Sequence, residues 1–164
     1  MEVFVIFGTL VQFLCIASYI KDTIKGRTRP NRMTWLMWSI APIIGTVAAV
    51  STGVSWSILP VFMSGFGPAL VFIASFINKN SYWKLGKFDY LCGLFSALAL
   101  ILWAVTKDAV VAIIFSIISD LLASVPTVMK SWKHPETETI TPYSGGIFAQ
   151  FMGFLAIKNW TPFI

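Results

Sequence analysis

The chain has 164 residues, of which 57% are hydrophobic and only 12% are charged, whereas soluble domains carry about 25% charged residues. Together with a mean hydropathy of +0.78, this composition predicts an integral membrane protein and argues against a soluble domain. The net charge of +5 does not indicate a nucleic-acid partner. The basic residues lie in loops between apolar runs, where membrane orientation explains them.

Six apolar runs predict six transmembrane helices, because lipid admits only helices or closed barrels and these runs do not alternate as strands do. They cover residues 3–20, 33–50, 58–77, 90–106, 109–129 and 141–157. The first run lacks the basic segment and the cleavage site of a signal peptide, so we expect it to be retained as a helix.

The basic residues predict the orientation of these helices. Ten of the twelve Lys and Arg residues fall in the loops 21–32, 78–89 and 130–138, and only Lys107 and Lys158 fall on the opposite side. By the positive-inside rule the three loops are cytoplasmic and the N-terminus lies outside, in a multi-pass protein of the cell membrane. Aromatic residues near the span ends are interpreted as interfacial anchors. They are Trp35, Trp38, Trp56, Tyr82, Trp83, Tyr90 and Trp160.

Several spans contain helix-breaking residues. Pro42, Pro60, Pro68 and Pro126 each remove a backbone donor and favour a kink. Beside Pro68, the glycines of the segment 64–69 (SGFGPA) either allow close helix packing or weaken the helix where it must bend.

An internal repeat appears when the chain is shifted by 108 positions. Residues 1–48 then match residues 109–156 with eight identities, among them Lys25 with Lys133, and Thr34-Trp35 meets Pro142-Tyr143 at the next helix start. Spans one and two therefore match spans five and six. The sequence predicts a first three-helix unit over 1–78, a cytoplasmic loop and linker helix over 79–107, and a second unit over 108–164.

This arrangement resembles the PQ-loop superfamily of SWEET and SemiSWEET-type membrane transporters. Their motif is a Pro-Gln pair at the cytoplasmic end of a unit's first helix, followed by a lysine loop. Here Pro126-Thr127 with Lys130 and Lys133 is the better match, Ser18-Tyr19 replaces the pair in the first unit, and Gln is absent from both.

The resemblance implies an all-α membrane fold of two parallel three-helix bundles joined by a linker helix, a 3+1+3 plan. A seventh span is expected to begin where the chain stops at residue 164, so the second bundle is expected to lack its last helix, either because the sequence is incomplete or because the protein has only six spans. Family members carry a sugar-site asparagine in the third helix, and Ser64 lies nearest to that place. Pro42, Pro68, Pro126 and Thr127 are the expected hinge or gating residues.

Asp120 is the principal candidate for a functional side chain. It is the acidic residue that lies deep within a span, where a charge costs about 2.5–3.5 kcal/mol on insertion scales. Such residues face a cavity, pair or take up a proton; the alternative is a packing role with Ser116, Ser119 or Ser124 as partner. Gln12 occupies the repeat-related position, so the two predict a polar pocket at the midplane.

Three further residues complete the sequence-based picture. Gln150 lies within span six, where it either lines the pocket or bonds between helices, and Trp38 either stacks on a solute or anchors at the interface. The single histidine, His134, is interpreted as a surface residue. No metal site, cofactor motif or enzymatic pattern is present.

The predicted function is transport of a small polar solute, sugar-like or amino-acid-like, by alternating access around Asp120, Gln12, Trp38, Ser64 and Gln150. Coupling to protons through Asp120 is left open. The alternative is a membrane receptor or scaffold with the same fold. The expected partners are the solute and the lipid bilayer, and the plan is compatible with a homo-oligomer. Transport requires the polar residues of the spans to converge on one cavity, whereas a scaffold does not.

Overall fold

The computed structural model describes residues 2–51, 58–81, 83–105 and 109–156. These residues form an all-α protein. Its helices are α1 (Glu2–Ile24), α2 (Arg32–Ser51), α3 (Leu59–Ala74), α4 (Lys87–Val105), α5 (Ala109–Lys133) and α6 (Thr141–Leu155). Two single-turn 3-10 helices, Lys79–Ser81 and Pro135–Thr137, lie in the loops before α4 and α6. Each predicted span coincides with one α-helix, so the all-helical prediction is confirmed.

The helix ends differ from the ends of the apolar runs where polar residues continue a helix. α1 continues about one turn beyond residue 20 and stops at a glycine, Gly26, whose φ of 80° places it in the left-handed region. The amide of Gly26 donates to the carbonyl of Thr23, and the amide of Arg27 donates to the carbonyl of Asp22. This pair of bonds is a Schellman cap, and a residue with a Cβ would be strained at Gly26.

The four prolines do not act alike. Pro42, Pro68 and Pro126 lie inside α2, α3 and α5, where each removes an intrahelical hydrogen bond. The prediction of a kink at Pro60 is wrong, because Pro60 occupies the first turn of α3, where the missing amide would have had no partner in any case.

The helices pack in an order that differs from their order in the chain. α3 lies between α1 and α2, α1 also packs on α6, and α5 packs on α4 and α2. Under the shift of 108 positions α1 becomes α5 and α2 becomes α6. The contact of α1 with α6 therefore becomes the contact of α5 with α2, as a pseudo-twofold axis requires. The position between α5 and α6 that matches α3 is not filled by a helix of the described residues.

The three basic loops lie at one end of the bundle, which is named the loop end below. Asn31 links two of them, since its Nδ2 donates to Asp89 Oδ1 at 2.7 Å. Its side-chain oxygen accepts from the amide of Met33 at 3.1 Å and thereby caps α2. The first and third loops are joined by the amide of Arg29 and the carbonyl of Thr137, 2.9 Å apart. The cytoplasmic side remains a prediction; Lys107 and Lys158 lie outside the described residues.

The surface of the bundle is apolar and much of its interior is polar. Large hydrophobic side chains are exposed on the outside of all six helices, for example Leu14, Leu94 and Ile147, whereas Gln12 and Ser119 are buried. Soluble proteins show the opposite bias. By length and mean hydropathy alone, α1, with 23 residues and a mean hydropathy of 2.2, is the one helix of the described residues that meets the criterion for a membrane span, and α3 is apolar but shorter. The crossing of a membrane by all six helices stays a prediction.

Small residues bring α1 and α6 close together. A Cβ on Gly145 would lie 2.5 Å from the Cβ of Cys15 and 2.8 Å from its Sγ, whereas a Cβ on Gly153 of the same helix would meet nothing within 4 Å. Close backbone approach through glycine is a common way to join membrane helices.

We therefore predict opposite effects for the same substitution at the two glycines. Gly153→Ala should raise the free energy of unfolding by up to about 1 kcal/mol, because alanine is the better helix former. Gly145→Ala should lower it by about 1–3 kcal/mol, because the added methyl group forces the helices apart. Denaturant titration followed by circular dichroism measures both; equal effects would contradict the close packing of α1 on α6.

Candidate functional site

A cavity of about 480 Å³ lies within the bundle and is lined by five of the six helices. Its volume falls in the range of small-molecule sites. The lining residues are Gln12, Ile16, Trp35, Trp38, Pro42, Ser64, Pro68, Asp120, Pro142, Tyr143, Gly146, Ile147 and Gln150. The structure thus brings together all five side chains that the sequence nominated for a solute site, and two of the nominated hinge prolines.

The polar side chains of the cavity differ in their hydrogen bonds. Gln12 is only 5% exposed, and its Oε1 has no hydrogen-bond partner among the described residues. Ser64 donates to the carbonyl of Val61 in its own helix at 2.8 Å, which leaves its oxygen free to accept. Asp120 and Gln150 are exposed and line the cavity.

Two of the serines considered as packing partners of Asp120 are bound elsewhere. Ser119 shares a hydrogen bond of 2.8 Å with Ser96 on α4, and Ser124 donates to the carbonyl of Leu121 at 2.7 Å. The side chain of Ser116 lies outside the described residues. For Ser119 and Ser124 the packing interpretation of Asp120 therefore lacks support, and Asp120 remains a candidate for solute contact.

Three aromatic rings form the wall of the cavity at the loop end. Trp38 stands edge-on to Trp35 with ring centroids 5.6 Å apart and edge-on to Tyr143 at 6.4 Å. The indole N–H of Trp38 donates to the backbone carbonyl of Asp120 at 3.3 Å. This bond holds the ring beside the turn of α5 that contains Asp120. The three residues are named the aromatic wall below.

The structure corrects one of the predicted interfacial anchors. Trp35 is 2% exposed and packs in the core against Tyr19, with ring centroids 5.2 Å apart, so its ring faces the protein interior and not lipid. Trp38 lines the cavity and bonds to the backbone of Asp120, and its stacking on a solute stays a prediction. Trp56, Tyr82 and Trp160 lie outside the described residues.

The lining residues are related by the repeat. The matched pairs, separated by 108 positions, are Gln12 with Asp120, Trp35 with Tyr143, Trp38 with Gly146 and Pro42 with Gln150. Eight of the lining residues thus occupy matched positions of the repeat, and the two-unit plan itself stays a prediction.

A buried ion pair lies at the loop end and is joined to the cavity wall through Tyr143. The Lys130 ammonium binds Glu138 Oε1 and also donates to the carbonyl of Arg29, and the two charged side chains are 1% and 5% exposed. Glu138 Oε2 accepts from the hydroxyl of Tyr19 at 2.7 Å and from that of Tyr143 at 3.2 Å. These four side chains, Lys130, Glu138, Tyr19 and Tyr143, are named the latch below.

The proposed hinge residues of α5 lie beside the latch and outside the cavity. The hydroxyl of Thr127 donates to that of Thr34 at 2.9 Å, which in turn donates to the carbonyl of Ala123 at 2.7 Å. Thr127 therefore holds α5 against the start of α2. Pro126 is buried one residue earlier, and its role as a hinge stays a prediction.

The described residues contain no group of three His, Cys, Asp or Glu side chains that could hold a metal ion. Comparison of the chain with protein-family models, with curated proteins and with solved structures found no match. The function is therefore argued from the site alone.

The latch was not predicted from the sequence, in which Lys130 belongs to the lysine loop and Glu138 to no motif. Tyr19 and Glu138 are 119 positions apart, and a contact of that separation leaves no local pattern. The repeat did contain a signal for the aromatic wall, since the shift places Trp35 on Tyr143. Two aromatic residues at matched helix starts indicated a shared wall.

The latch leads to a stability prediction. Glu138→Gln keeps an acceptor for the two tyrosine hydroxyls but leaves Lys130 as a buried cation without its charge partner. We expect the free energy of unfolding to fall by about 3–5 kcal/mol. Adding Lys130→Met removes the stranded charge at similar volume and should recover most of this loss.

Glu136→Gln is the matched control, since that carboxylate in the same loop is 69% exposed and its loss should change stability by less than about 0.5 kcal/mol. Denaturant titrations of the four proteins give the comparison. Similar small changes for Glu138→Gln and Glu136→Gln would contradict a buried, paired Glu138.

Proposed function

We propose that the protein is a multi-pass membrane transporter of a small polar solute, which it binds in the cavity around Asp120 and carries by alternating access. The observation that carries this proposal is the convergence of Asp120, Gln12 and Gln150 on one cavity. In this proposal the two halves are the three-helix units of a PQ-loop-type transporter, α4 is the linker helix, and the loop end is cytoplasmic.

The distribution of polar and apolar side chains supports a position in the membrane. The six helices expose large hydrophobic residues around the bundle, and the buried positions hold many polar ones. In water such a surface would drive association. In lipid it is the favourable outer face, and several interior polar side chains are hydrogen-bonded within the bundle, for example Ser96 with Ser119.

The latch supports alternating access. It closes the loop end of the cavity with two buried charges, so the structure corresponds to a state closed toward the cytoplasm in this proposal. A buried ion pair contributes little net stability, but removing one partner is strongly destabilising because the other charge stays buried. Such a contact can stabilise one conformation and break in a single step when the conformation changes. Pro126 lies in the same helix, one turn before Lys130.

The arrangement favours transport over the receptor or scaffold alternative. A scaffold would not require the polar residues Gln12, Ser64, Asp120 and Gln150 of four helices to meet at one interior cavity, and it would give repeat-related residues no reason to line the same cavity. The three loops are short and are bonded to each other at the loop end, which leaves little free surface for a docking protein.

Transport should depend on the carboxylate in the cavity. With purified protein in proteoliposomes and pools of labelled sugars and amino acids, we expect at least one pool to be taken up. Asp120→Asn should abolish that uptake, or its pH dependence if protons are coupled, and Glu136→Gln should leave it unchanged. Full uptake with unaltered pH dependence in Asp120→Asn would refute the role of Asp120.

Accessibility of the cavity should depend on the latch. Ile16 lines the cavity near the loop end and is 3% exposed, so Ile16→Cys, with Cys15→Ala and Cys92→Ala, reports access from that side. A membrane-impermeant maleimide added on the loop side should label it slowly. Glu138→Gln should accelerate labelling at least about tenfold, which corresponds to about 1.4 kcal/mol.

The control for this measurement is Glu136→Gln in the same cysteine background, which should label at the parent rate because its carboxylate lies outside the latch. If Glu138→Gln also labels at the parent rate, the latch does not close the cavity.

A further inference from the structure

The cavity contains an acidic side chain that its own walls do not pair with a cation. When Asp120 is ionised its charge has no counterion in the walls, because no Lys, Arg or His side chain stands among the lining residues that the structure describes. Lys130, at the loop end, is already bound to Glu138 and to the carbonyl of Arg29. An ionised carboxylate only accepts hydrogen bonds, so the Asp120 side chain calls for a donor from outside the protein.

A second acceptor lies in the same wall. Gln12 is 5% exposed, and its Oε1 has no hydrogen-bond partner among the described residues. Buried acceptors without a donor are rare in folded proteins. Gln12 and Asp120 occupy matched positions of the repeat and line the same cavity, so one donor-rich group bound there could satisfy both acceptors.

The aromatic wall favours a cation over a neutral donor. Trp38 is held beside Asp120 by its indole hydrogen bond of 3.3 Å, and Tyr143 stands edge-on to it with an interplanar angle of 77°. Aromatic faces attract ammonium and guanidinium groups through the ring quadrupole, and tryptophan does so best. A sugar would gain stacking from these rings, but its hydroxyls would leave the charge of Asp120 unbalanced.

We propose that the solute of this cavity is a small organic cation of amino-acid size, an amine or a guanidinium compound. Its cationic nitrogen lies between the Asp120 carboxylate, the Gln12 side-chain oxygen and the ring of Trp38. This assignment rests on the proposed transport function and narrows its solute from polar compounds in general to those with a positive charge. The cavity of about 480 Å³ is large enough for such a molecule.

The test is counterflow in proteoliposomes with probes matched in size and different in charge. L-arginine, putrescine and choline are the cationic probes, and glucose, alanine and glutamate are the neutral and anionic ones. Uptake of at least one cation and of neither neutral probe nor glutamate is the expected result. Uptake of glucose or alanine without any cation would overturn the cation assignment while the transport function stands. If none of the six probes moves, both proposals fail for solutes of this size.

Variants separate the charge from the aromatic contribution. For the transported cation, Asp120→Asn should raise the concentration that gives half-maximal uptake at least about tenfold. Asp120→Glu should retain uptake, because it keeps the carboxylate. Trp38→Phe should retain more affinity than Trp38→Leu, because phenylalanine still offers a ring face. Thermal unfolding of each variant establishes that it is folded. Equal affinity for the cation in folded Asp120→Asn and in the parent would overturn the assignment.

Discussion

The buried pair of Lys130 and Glu138 is the interaction on which the rest of this structure depends. Removing two charges from water is unfavourable, and their attraction compensates only when the geometry is good and the remaining donors and acceptors are satisfied. Here the carboxylate also accepts from Tyr19 and Tyr143, and the ammonium also donates to a loop carbonyl. One pair of charges thereby joins α1, α5, the start of α6 and the first loop, and reaches the cavity wall through Tyr143.

The two halves of the molecule are alike in plan and unlike in chemistry. The repeat matches Gln12 with Asp120 and Trp38 with Gly146, and all four line the cavity. One half therefore supplies a neutral amide and a large ring, and the other supplies an acidic side chain and a glycine. Two nearby carboxylates would repel each other, whereas a single one would define an orientation for a solute bound as proposed.

Three features could be predicted from the sequence for one physical reason. They are the helices, the position of the three basic loops at one end of the bundle, and the residues that line the cavity. A polar residue inside an apolar run is costly unless it faces a polar interior, so Asp120 and Gln12 identified the cavity without any knowledge of packing. The rest could not be predicted because it depends on tertiary contacts. No local sequence pattern shows that Trp35 is a core residue and not an interfacial one, or that Glu138 is buried. Likewise, hydropathy does not show that Pro60 lies in the first turn of a helix.

Tyr143 connects the latch with the cavity, and this connection has a mechanical consequence. Its ring forms part of the aromatic wall, and its hydroxyl holds Glu138 through the longer of the two tyrosine bonds, 3.2 Å against 2.7 Å for Tyr19. A solute that draws the Tyr143 ring toward itself would loosen the weaker of these bonds first. Linkage requires the reverse as well, so opening the latch must change the affinity of the cavity by the same factor. In the proposed cycle, therefore, the residue that contacts the solute is also the one through which binding can release the closed end.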